Sequence, residues 1–183
     1  MPVLPWKRAR IDEKVAPKQD MPLIETSGLT KRSRNQRTGM LALDGLNLSI
    51  PAGQMYGLLG PDGAGKTTTL RILATVLEAS AGQAWVGGHD IQRDAEAVRR
   101  FIGYMPQNFS LYPDLSVAEN LNFFADANGV RRDKKQDRIE KMLGFTRLAP
   151  FVNRRAANLS GGMKKKWALA CSLLHEPQVL LLD

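Results

Sequence analysis

The residues best equipped for chemistry stand in one run, Gly60-Pro61-Asp62-Gly63-Ala64-Gly65-Lys66-Thr67-Thr68. It satisfies G-x-x-x-x-G-K-[ST] at every fixed position, the pattern of a phosphate-binding loop. The physical reason is geometric. Gly60, Gly63 and Gly65 can adopt backbone angles closed to other residues and let the chain pass close to a ligand. Successive N–H groups then turn inward as an anion nest, and the helix that follows adds its positive end. Lys66 is placed to reach the outer phosphates of a nucleotide, and the Thr67 hydroxyl to ligate Mg²⁺. A second candidate closes the chain. Val179-Leu180-Leu181-Leu182-Asp183 is an apolar strand ending in a carboxylate, and such an Asp helps hold Mg²⁺ beside a phosphate loop.

These residues need elements to position them. Gln54–Leu59 is short, apolar and bounded by glycine, which predicts a buried parallel strand entering the loop. After the loop, Leu70, Leu73 and Leu77 recur at helical spacing and predict a helix over Thr67–Leu77. Upstream, Pro22–Ser27 and Leu41–Ile50 read as strands, the second with alternating leucines around Gly45. Between them Lys31–Gly39 is polar and basic and reads as a hairpin loop or an insertion. Ala79–Gly82 reads as a turn, Gln83–Val86 as a strand, Arg93–Arg100 as a helix and Phe101–Met105 as a strand. Ser116 and Glu119 form a capping-box pattern ahead of a helix ending near Gly129. A basic helix with Ile139, Met142 and Leu143 inward follows, then a short piece around Pro150. Ser160 opens a last helix with Met163, Trp167, Ala170, Cys171 and Leu174 on one face.

Composition narrows the classes. The 183 residues are 43% hydrophobic, enough for a compact core. No apolar run approaches the roughly 18 residues of a membrane span. The start, Val3-Leu4-Pro5-Trp6, is too short for a signal peptide. The single cysteine, Cys171, forms no internal disulfide and reads as a buried cytosolic thiol. The net charge of +8 gathers in clusters without interleaved aromatics. That argues against a stacking platform for single-stranded nucleic acid and for solvated helix faces. Residues 1–20 lack periodicity and read as a mobile tail.

Taken together, the phosphate loop, Tyr104-Met105-Pro106-Gln107, Leu159-Ser160-Gly161-Gly162-Met163 and Val179–Asp183 resemble the ATP-binding subunit of ABC transporters, over about residues 22–183. The phrases Gly-Tyr-Met-Pro-Gln and Ser-Gly-Gly-Met-Lys are most similar to export-type members, the drug and ABC-2-like exporters. The resemblance implies an α/β P-loop NTPase core with a small antiparallel β region and an inserted helical subdomain. Its expected parts are 21–106, the β region and core; 107–158, the helical insertion; and 159–183, the signature helix and second nucleotide strand. ATP and Mg²⁺ are the implied ligands. Gln107 is implied to contact Mg²⁺ and water and to link the core to the insertion. Ser160, Gly161 and Gly162 are implied to meet the γ-phosphate held by a second ATP-binding domain, head to tail. Membrane-spanning subunits are the other implied partners, which sets the domain at the cytoplasmic face of the membrane. Two readings stand for Phe109, Leu111 and Tyr112: lining of a groove for the membrane partner, or core.

Three departures qualify the resemblance. The aromatic residue that stacks adenine in the family is absent, with Ser33 near its place. Asp62 stands where Asn is usual. The family's catalytic Glu, dimer loop and switch His would follow Asp183; His89 and His175 precede it, His89 reading as a loop residue and His175 as a helix C-terminal residue favoured by the dipole. The expectation is therefore a C-terminally truncated ATPase domain that binds MgATP weakly and turns it over little. A soluble ATPase acting on nucleic acid or the ribosome is the alternative. The stretch from Gln107 to Ser160 is too short for the long coiled coil of DNA-repair relatives. A non-catalytic remnant is the third reading.

Overall fold

The structure, a computed structural model, describes residues 22–33, 40–108 and 111–183. The expected tail at 1–20, most of the basic loop and Phe109 lie outside the described residues. Strand β1 (Ile24–Arg32) pairs antiparallel with β2 (Leu41–Ile50) on one side. After helix α1 (Lys66–Leu73) comes β3 (Ala81–Val86), which pairs with the other side of β1. The two-residue β4 (His89–Asp90) completes a sheet of order β2-β1-β3-β4. Helix α2 (Ala95–Phe101) leads into β5 (Ile102–Met105). Three further helices follow: α3 (Val117–Ala127), α4 (Arg132–Thr146) and α5 (Gly161–Leu173). The last strand, β6 (Val179–Leu182), lies parallel to β5 in a separate two-stranded sheet.

Local chemistry explains most of this. In β2 the alternation holds across Gly45, whose φ of 58° lets an extra residue bulge out. Asn47 locks the matching bulge on β1 by accepting from the Gly28 N–H at 2.8 Å. The capping box forms in full: Ser116 Oγ accepts from the Glu119 N–H at 3.2 Å, and Glu119 accepts from the Ser116 N–H at 2.7 Å. On α5, Trp167, Ala170, Cys171 and Leu174 are buried together as their spacing requires.

Two apolar clusters result. One gathers Leu29, Ile72, Val86, Val98, Ile102 and Leu181 from both sheets, α1 and α2. The other gathers Val117, Leu121, Ile139, Leu148 and Trp167 from α3, α4 and α5. Leu111 packs against this second cluster, whereas Tyr112 is 47% exposed with Phe123 edge-on beside it. Helix α5 lies tight on β5 because residue 103 is glycine: a Cβ there would stand 2.4 Å from the Ser172 carbonyl oxygen.

Several expectations need correction. Gln54–Leu59 is not a strand: it joins neither sheet, and Met55 and Leu59 stand at 103% and 95% exposure. Apolar content suits a strand, but only a ladder partner makes one, and this segment has none among the described residues. Helix α1 stops at Leu73 rather than Leu77. Thr75 and Val76 are β-branched and disfavour helix. Thr75 takes φ 57°, and the Val76 and Leu77 N–H groups turn back onto the Arg71 carbonyl. Lys31 and Arg32 are strand rather than loop, and β3 starts inside the expected turn at Ala81, because β1 is clamped on both edges. His89 lies in β4, edge-on to Phe101, not in a loop.

Candidate nucleotide site

The candidate site is assembled where α1 begins. Gly65, at φ 88°, caps the helix with no side-chain hydrogen bond, and no acidic residue occupies the first turn. Helix geometry leaves the N–H groups of Lys66, Thr67 and Thr68 without intrahelical acceptors, so they point out of the helix start as unfilled donors. Glycine at 65 is obligatory on a second ground. A Cβ there would stand 2.6 Å from the Ala42 carbonyl oxygen, so β2 itself presses on the loop. Gly60–Ala64 is exposed, Asp62 included. Lys66 Nζ donates to the Gly60 and Pro61 carbonyls, both at 2.7 Å, and so bridges the mouth of its own loop.

Segments distant in sequence meet here. The Thr67 hydroxyl donates to Asp183 Oδ1 at 2.6 Å, and the Asp183 N–H donates to the Met105 carbonyl at 3.0 Å. Because β5 and β6 run parallel with Met105 opposite Leu182, both strands deliver their carboxyl ends to the same edge. That edge is where open α/β sheets bind ligands. Gln107 lies exposed two residues beyond β5, at this edge. Ser160, Gly161 and Gly162 form a different group. Ser160 caps α5 by accepting from the Met163 N–H at 3.3 Å. A Cβ built on Gly161 or Gly162 would meet nothing within 4 Å, so the space above them is open. Among the described residues no hydrogen bond joins this group to the Gly60–Thr68 loop.

Two residues of the site have roles that no motif reports. Tyr104 donates to Asp183 Oδ2 at 3.3 Å, and the Arg71 guanidinium acts electrostatically on the same phenol. Burial holds the Tyr104 phenol above its ordinary range, Arg71 opposes the rise and Asp183 adds to it, so the group is a hydrogen-bond donor at neutral pH. Only the β5–β6 register brings it to Asp183, and no local pattern reports that register.

The donors present fit the implied ligands. Thr67 and Asp183 offer hard oxygens side by side, the kind of partial shell Mg²⁺ accepts when phosphates and waters complete it. No cluster of three or more His, Cys, Asp or Glu exists among the described residues to form an all-protein cage. His175 follows the C-cap of α5 as expected, but it is not held there as a cation. Its Nε2 donates to the Ile102 carbonyl at 2.8 Å while Nδ1 is buried without a partner. Burial pushes its pKa down, the opposite of a dipole-stabilised cation. Burial also pushes the Cys171 thiol up, so it is inert rather than nucleophilic. A cavity of about 370 Å³ lies at the other end of α1, among Ile72, Thr75, Ile91 and Arg99, away from the phosphate loop. No described helix is long and apolar enough to cross a membrane.

Comparison with known proteins agrees with this geometry. Residues 43–183 match the family described as ABC transporter. The "Probable multidrug ABC transporter ATP-binding protein YbhF" of Escherichia coli is 47% identical over 161 residues, 88% of this chain and 28% of its own length. The "Daunorubicin resistance ATP-binding protein DrrA3" of Streptomyces coeruleorubidus is 39% identical over 87% of this chain and 49% of its own. The chain thus spans half or less of these relatives. Among solved structures, an ATP-binding subunit of an ABC transporter superposes with TM-score 0.78 at 28% identity, covering 88% of this chain and 65% of that one. The ATP-binding cassette MJ0796, dimeric and bound to ADP and Pi, gives 0.78 at 26% identity, covering 87% and 73%. With its phosphate loop, its paired parallel strands and this match over most of its length, the chain belongs to the ABC transporter family of ATP-binding proteins.

Proposed function

We propose that this chain binds MgATP at the start of α1 and serves as the ATP-binding part of an export-type transporter. The observation that carries the reading is the 2.6 Å contact of Thr67 with Asp183 at a helix start whose N–H groups are unfilled. In this reading the loop amides from Gly60 to Thr68 and Lys66 take the phosphates, and Thr67, Asp183 and Gln107 serve the metal side. Lys66 exchanges its Gly60 and Pro61 carbonyls for phosphate oxygens, a gain because charged partners make stronger hydrogen bonds. Bound Mg²⁺ supplies charge neutralisation at the phosphates; the protein's part is to hold and orient.

The wider assignment follows the relatives. Multidrug and daunorubicin-resistance proteins among them support export as the coupled process. The dimeric state of MJ0796 supports a head-to-tail pair in which Ser160, Gly161 and Gly162, open above, meet the nucleotide held by the second domain. Membrane-spanning subunits are the remaining partners, and residues 107–158 are the helical part that would face them at the cytoplasmic side.

Thermal melting tests the binding claim. MgATP at about 100 times its dissociation constant should stabilise the fold by about 2.7 kcal/mol and raise Tm by several degrees. Lys66→Ala should abolish the rise at the same concentration. An equal rise in both proteins would refute the site.

A further inference from the structure

The Asp183 carboxylate is held from both of its oxygens. Thr67 donates to Oδ1 directly. The Tyr104 hydroxyl donates to Oδ2, and Arg71, one helical turn beyond Thr67, acts electrostatically on that phenol. At 3.3 Å the Tyr104 bond is longer than the 2.6 Å Thr67 bond, so it steers the carboxylate rather than clamping it. The main chain adds a third tie, the Asp183 N–H on the Met105 carbonyl, from the strand residue after Tyr104. A carboxylate fixed only at Oδ1 would still rotate about its Cβ–Cγ bond, a broad torsion. The second hold removes that freedom and leaves Asp183 set in plane before any ligand arrives.

We infer that Tyr104 is a positioning residue for Asp183: it fixes the carboxylate plane for a divalent cation and ties that plane to the segment leading to Gln107. This rests on the reading of Asp183 as a group on the metal side. Tyr104 itself touches neither nucleotide nor metal in this account. The coupling runs both ways, since a shift of the chain after Met105 would move Tyr104 and with it the orientation of Asp183.

The test uses the full 183-residue chain with Mn²⁺ as the probe. For wild type, Tyr104→Phe, Arg71→Met and Asp183→Asn, the ATP dissociation constant is measured with Mn²⁺ and with a chelator, and their ratio gives the metal-dependent gain. The expected result is a three- to tenfold smaller gain in Tyr104→Phe, roughly the worth of one hydrogen bond. Arg71→Met should give a smaller loss in the same direction and Asp183→Asn the largest. The Mn²⁺ electron paramagnetic resonance spectrum of the ternary complex should broaden in Tyr104→Phe as the carboxylate samples more orientations. Arg71 is exposed, so its variant tests the idea even where Tyr104→Phe folds poorly. If Asp183→Asn loses the gain while Tyr104→Phe and Arg71→Met keep it within about twofold, the positioning role is overturned. If Asp183→Asn also keeps the gain, the metal reading of Asp183 falls, and the inference falls with it.

Discussion

Gly65 shows how little freedom the candidate site allows a single residue. Its left-handed backbone and the Ala42 carbonyl on its empty side exclude every side chain. Gly65→Ala should destabilise the fold by about 2 kcal/mol or more, from the φ penalty plus the clash, read as a lower urea midpoint. His175 makes a prediction about pH. Its neutral form, with Nε2 donating to Ile102, suits its surroundings; a proton on Nδ1 would have no partner, and Arg138 adds repulsion. Its folded pKa therefore lies below the unfolded value of about 6.5. The stability this confers is whole above pH 6.5 and is lost as pH falls through the folded pKa, because the unfolded chain takes up the proton first. Urea midpoints from pH 7.5 to 5.0 should fall in the wild type, and His175→Gln should fall less.

At the scale of elements, Asn120 is the residue to watch. It is fully buried at the start of α3. Its Nδ2 reaches the Tyr112, Leu115 and Ser116 carbonyls, and its Oδ1 accepts from the Tyr112 N–H at 3.0 Å. One side chain thereby ties the irregular 112–116 segment to α3, beside the backbone bonds that join it to residues 155–157. Asn120→Ala leaves the Tyr112 N–H without its acceptor and removes one of two bonds from each of three carbonyls; it should cost about 2–3 kcal/mol, against about 1 kcal/mol for the Ser116→Ala cap variant, by chemical denaturation. The contrast also marks what a sequence can show. Ser116 and Glu119 are neighbours along the chain, so their cap was legible, as was the buried stripe of α5. Asn120 looked like an ordinary helix residue because its partners lie in an irregular segment. Gln54–Leu59 was misread for the complementary reason: its composition suits a strand, but strand formation depends on pairing with chain far away in sequence. The site divides likewise, with the loop and Asp183 legible as patterns and Tyr104 visible only through register.

For the molecule as a whole, the join between α1 and the end of β6 decides the account. Asp183 is 116 positions from Thr67, and their contact exists only because α1, β5 and β6 fold around one apolar cluster. Along the basic helix α4, Lys135 pairs with Asp126 at 2.9 Å and Arg138 with Glu176 at 2.8 Å, so part of that helix's positive charge is met within the fold. The most direct measurement is amide NMR of the 183-residue chain titrated with ATP and Mg²⁺. The expected result is that the largest shifts fall on the N–H groups of Gly63, Gly65, Lys66 and Thr67 and disappear in Lys66→Ala. Shifts centred instead on Thr75, Ile91 and Arg99, around the cavity at the other end of α1, or unchanged in Lys66→Ala, would contradict it.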